Sequence, residues 1–110
     1  MKLLKRLYEI HSPSRNENRI RTFIKQHVSK NTPDAVIEQD AIGNLYITRG
    51  DAENYPCIVA HLDQVQKIHS RDFRAIETRE IIFGYSPSKR QWEGLGADDK
   101  NGIWIALQCL

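Results

Sequence analysis

Gly94-Leu95-Gly96-Ala97-Asp98-Asp99-Lys100-Asn101-Gly102 sets two adjacent carboxylates among glycines and a lysine, directly ahead of the apolar run Ile103-Trp104-Ile105-Ala106-Leu107. Like charges side by side repel, and burying them costs desolvation energy. Where they abut an apolar element, a metal, a cation or water compensates them. This is the composition of a site, not of a core. The residues after it, 102–110, read as a helix with Ile103, Ala106, Leu107 and Leu110 apolar. No glycine cap, proline or polar tail follows Leu110, so the expectation is a helix that continues in a longer protein.

Working back from this string, a second anchor is Pro56-Cys57-Ile58-Val59-Ala60-His61-Leu62-Asp63. The apolar run lacks alternation, which suits a strand covered on both faces of an α/β sheet. His61 then falls at the carboxyl end of that strand, where open α/β sheets place their ligands. Between the two anchors, Phe73–Thr78 and Ile81–Tyr85 read as short strands joined by a turn at Arg79-Glu80, and Ser86-Pro87-Ser88-Lys89-Arg90 as a loop.

Towards the amino terminus, Leu3, Leu4, Leu7 and Tyr8 share one face of a helix over 2–10, with Lys2, Lys5 and Arg6 opposite. Ser14-x-x-Glu17 has the form of a capping box, and Ile20, Phe23, Ile24 and Val28 follow at helical spacing, which predicts a second helix over 16–29. Ala35–Gln39 and Leu45–Thr48 form a hairpin around Gly43-Asn44. His11 and His27 have no neighbour at metal-ligand spacing and are read as loop and helix-boundary residues.

With 110 residues, 40% of them hydrophobic and 27% charged, the chain has the size and composition of one soluble globular domain. Its elements read as one α/β domain or part of one, and a mixed sheet flanked by helices is the expected architecture. A net charge of +2, with lysines and arginines interleaved with acids, argues against a nucleic-acid partner. The basic set Arg71, Arg74, Arg79, Lys89 and Arg90 is diluted by Asp72, Glu77 and Glu80. No apolar run approaches a membrane span and no signal-peptide core follows Met1, so the expected compartment is the cytoplasm and no membrane partner is expected. Cys57 and Cys109 read as small buried residues in a reducing compartment, without Cys-x-x-Cys spacing.

Glycine-rich phosphate and calcium readings of the 94–102 string fail. Asp99 stands where a dinucleotide fingerprint needs its third glycine, Asn101 follows Lys100 where a Walker loop needs Ser or Thr, and a calcium loop begun at either aspartate lacks its central glycine and terminal glutamate. Metal chemistry is the better match. His61 and Asp98 offer the nitrogen and oxygen donors that zinc takes, and Asp63 is placed to hold the other ring nitrogen of His61.

Ala60-His61-Leu62-Asp63 paired with Gly94–Gly102 resembles the dimetal zinc exopeptidase superfamily, in particular peptidase T-like aminopeptidases and dipeptidases. Ile10-His11-Ser12-Pro13-Ser14 and Asp40-Ala41-Ile42-Gly43-Asn44-Leu45 are similar to the opening segments of that family. The resemblance covers essentially residues 1–110 as the amino-terminal portion of a catalytic domain. It implies that His61 binds one zinc and that Asp98 bridges two. It implies further that Asp63 orients His61, that the peptide before Asp99 is cis, and that water activated by the two zincs hydrolyses a peptide substrate.

The family's general base belongs to a Glu-Glu pair, and no such pair occurs here. The isolated chain is therefore expected to bind zinc weakly and to lack peptidase activity. The alternative is a non-catalytic remnant acting as a self-associating or binding domain. A homo-oligomer, or a missing carboxyl-terminal part, is expected to cover Ile103, Trp104, Leu107 and Leu110.

Overall fold

The computed structural model describes residues 1–66 and 69–110. Apolar residues at helical spacing fold the amino-terminal segment into α1 (Lys2–Tyr8) and α2 (Asn18–Asn31). The expected hairpin follows as β1 (Val36–Gln39) and β2 (Leu45–Thr48), antiparallel with Ile37 opposite Ile47. Its loop is built on Asp40, whose Oδ1 accepts from the backbone N–H of Ile42 at 3.2 Å and of Asn44 at 2.8 Å. Then come β3 (Arg74–Glu77), β4 (Ile82–Ser86), β5 (Gln91–Glu93) and α3 (Ala97–Cys109). Helices and strands combine in one α/β chain, but among the described residues the strands form two separate antiparallel sheets, β1-β2 and β3-β4-β5, rather than one mixed sheet.

Two apolar clusters hold these elements. Leu7, Ile20, Ile24, Val28 and Ile103 pack together beneath Ile37, Leu45 and Ile47 of the hairpin. Leu4, Tyr8 and Ala75 pack with Ile82, Leu95 and Ala97. Leu4 and Tyr8 share one stripe of α1 while Leu7 faces the other cluster, so α1 lies between the two sheets. Trp104 touches both clusters. No helix among the described residues is long and apolar enough to cross a membrane.

Several expectations are corrected. Residues 57–60 do not form the covered strand: among the described residues no backbone hydrogen bond pairs them, and Ile58 and Val59 are 53% and 85% exposed. Apolarity marks a run as suited to burial but does not supply the strands that would flank it. Cys57 in this segment and Cys109 at the end of α3 are exposed thiols instead of buried ones.

Ser14 does not cap α2. Its hydroxyl donates to Asp63, while Glu17 Oε1 turns back to accept from the Arg15 N–H at 2.7 Å and the helix begins at Asn18. β5 is three residues long, too short for the alternation of Gln91-Trp92-Glu93 to announce a strand. In α3, Ile103 is buried and Trp104, Leu107 and Leu110 are half-buried against the core, so the large exposed apolar side chain on that helix is Ile105.

His69 is a measurable feature of the core edge. Its ring stacks on His11 at 4.9 Å and tilts against Phe73 at 4.2 Å, and its Nε2 is buried with no partner among the described residues. Burial, reinforced by repulsion from His11 and Lys100, pushes its pKa from 6.5 down to about 4. The folded chain thus takes up this proton less readily than the unfolded one. The stability contribution is fully present above about pH 6.5 and is lost as the pH falls towards about 4. Urea midpoints measured across that window are expected to fall with pH, and His69→Phe is expected to flatten the slope. An unchanged slope in the variant would assign the effect to other groups.

Candidate metal centre

His61 lies in a loop, not at a strand end, and its imidazole is held between two carboxylates. Nδ1 is 3.0 Å from the Asp63 carbonyl oxygen and 3.1 Å from Asp63 Oδ1, while Nε2 is 2.9 Å from Asp98 Oδ1. His61 and Asp98 are separated by 37 residues, so the fold and not local sequence brings them together. Hydrogen bonding to Asp98 is the main reason that the His61 pKa is raised. Burial opposes the shift, and Asp63 adds to it. Asp63 is lowered, chiefly by the Ser14 hydroxyl and then by His61. With the His61 side chain 52% and the Asp98 side chain 94% exposed, the pair opens to solvent. Neither of the two shallow cavities along α2 is lined by His61, Asp63 or Asp98.

The aspartates sit at a break in α3. Gly96 adopts φ +70°, a left-handed conformation that suits glycine, and Asp98 and Asp99 depart from helical geometry. The Asp98–Asp99 peptide is cis. The two side chains then diverge in use. Asp98 meets His61, whereas Asp99 Oδ1 accepts from the Gly102 N–H at 3.2 Å and caps the regular part of the helix.

Lys100 was not singled out as a structural residue by the sequence, yet it is 1% exposed. Its ammonium donates to the Ile10 carbonyl and, at 2.6 Å, to Gln64 Oε1. Ser12, fully buried, donates through Oγ to the Leu62 carbonyl at 2.8 Å and accepts the Gln64 N–H at 2.8 Å. Pro13 and Gln64 form a parallel bridge at the same place. Residues 10–14, 62–64 and the start of α3 are thereby fastened to one another beside His61, Asp63 and Asp98. A lysine in a polar string looks solvated, and no sequence signal distinguishes this one.

The donors match zinc in kind, an imidazole nitrogen beside a carboxylate oxygen. They fall short in number: among the described residues no group of three or more His, Cys, Asp or Glu side chains is arranged to hold a metal ion. Compared with protein-family models, curated proteins and solved structures, the chain gives no match.

Proposed function

We propose that the chain carries part of a dizinc exopeptidase centre within an α/β catalytic domain. The observation that carries this reading is the His61 imidazole poised between Asp63 and Asp98. His61 would bind through Nε2 and Asp98 through its carboxylate, with Asp63 holding Nδ1–H so that the ring presents its other nitrogen. When bound, zinc supplies polarisation of a peptide carbonyl and a lowered pKa for water. Asp98 is exposed enough to reach a second ion, and Asp99, engaged in capping Gly102, shapes the turn instead of binding.

Two donors are fewer than the three protein ligands that a catalytic zinc keeps, so residues 1–110 should bind zinc weakly and hydrolyse no peptide. Calorimetric titration with zinc is expected to show weak binding that His61→Ala and Asp98→Ala each reduce by about tenfold or more. Tripeptide hydrolysis is expected to be absent. Wild-type zinc affinity in both variants would overturn the reading.

A second reading, self-association without metal, draws on the exposed Ile58, Val59 and Val65. Light scattering of the same samples without zinc tests it through a mass that rises with concentration.

A further inference from the structure

Ser14 belongs to no donor set, yet its hydroxyl reaches a residue 49 positions away to donate to Asp63 Oδ2. The loop that carries it is pinned. The buried Ser12 binds the Leu62 carbonyl and Gln64, and Lys100 binds the Ile10 carbonyl at the loop's start. Ser14 is therefore presented to Asp63 by a fixed backbone.

Asp63 needs such a partner. The terminal torsion of a carboxylate is soft, and in a partly exposed aspartate it leaves open which oxygen meets the imidazole. Among the described residues, Ser14 is the side-chain hydroxyl that occupies Oδ2, while Oδ1 lies 3.1 Å from His61 Nδ1.

Two tautomers of neutral His61 compete. A proton on Nδ1 finds the Asp63 carbonyl and Asp63 Oδ1, and a proton on Nε2 finds Asp98 Oδ1. We infer that Ser14 is a positioning residue, whose hydroxyl holds Asp63 Oδ2 and so keeps Oδ1 on His61, favouring the proton on Nδ1. Its purpose rests on the zinc reading, because only that tautomer leaves Nε2 open to a cation. The orientation itself belongs to the metal-free chain.

The test is nitrogen-15 NMR of the His61 ring in chain 1–110, at a pH where the imidazole is neutral, with zinc titration of the same samples. Ser14→Ala is expected to raise the Nε2–H share about twofold or more and to weaken zinc binding about threefold to tenfold. This is below the 10–100-fold typical of a direct second-layer partner. Ser14→Thr, which keeps the donor, is expected to restore both values. Should Ser14→Ala fold poorly, Ser14→Cys preserves the size and donates weakly, and it is expected to shift the tautomer in the same direction. A folded Ser14→Ala or Ser14→Cys chain with the wild-type tautomer ratio overturns the inference, as does a threonine variant that behaves like alanine. A tautomer shift in a chain that binds no zinc supports the role of Ser14 and removes the zinc reading.

Discussion

Lys100→Ala is expected to strip the chain of most of its stability. The side chain is 1% exposed, and its ammonium joins the Ile10 carbonyl to Gln64 Oε1. Alanine removes buried methylenes and leaves a cavity. It also strands the Ile10 carbonyl, since Gln64 keeps Ser12 as a partner but Ile10 has no such substitute among the described residues. Relief of ammonium desolvation works in the opposite direction. Burial lowers the Lys100 pKa to about 8, so the group stays mostly charged near neutral pH and this relief offsets part of the loss. Cavity and unmet carbonyl together suggest a net loss of about 3–5 kcal/mol. That is comparable with the whole stability of a small domain, about 5 kcal/mol at the low end. Lys100→Met keeps the volume and should lose only about 1–3 kcal/mol through the carbonyl. Urea denaturation followed by circular dichroism separates the cases, and an alanine variant with the wild-type midpoint would deny Lys100 its joining role.

Gly84→Ala is expected to open the three-stranded sheet. Gly84 sits in β4 opposite Ala75 on one side and Glu93 on the other. A methyl group there would run into the Glu93 backbone carbonyl and the Phe73 ring. The carbonyl belongs to the neighbouring strand and cannot swing aside as a flexible side chain would, so β5 must move away. Overpacking of this kind costs about 1–3 kcal/mol. The cluster of Leu7, Ile20, Ile24 and Val28 lies against the other sheet, so the damage should be regional. Hydrogen exchange is expected to show lost amide protection across β3–β5 while α2 keeps its own. Uniform protection in the variant would show that the strands tolerate the extra carbon.

Where periodicity was strong, the chain could be read directly. Ile20, Ile24 and Val28 repeat at helical spacing and line one buried stripe, and Gly43-Asn44 mark the hairpin loop. The pairing of His61 with Asp98 was also foreshadowed, His61 by its place at the end of an apolar run and Asp98 by a glycine-flanked carboxylate pair unlike a core. The failures share a cause, in that they depend on what another segment does. The 57–60 run is apolar enough to be covered, but its own residues cannot provide neighbouring strands. Ser14 and Glu17 have the letters of a capping box, yet Asp63 offers Ser14 a stronger, charged acceptor. Lys100 looks like a surface residue until Ile10 and Gln64 close over it.

The separations across this junction have a kinetic consequence. Lys100 meets Ile10 over 90 residues, and Tyr8 donates to Asn101 over 93, nearly the whole chain. Loop-closure entropy must be met before such contacts stabilise anything, whereas α2 and the hairpin need only near neighbours. Helices and hairpin can thus form early and reversibly, while His61 and Asp98 become neighbours only in the step that joins the chain's two ends. A chain with helices and hairpin formed alone would carry every donor atom of the site but not the pairing of His61 with Asp98.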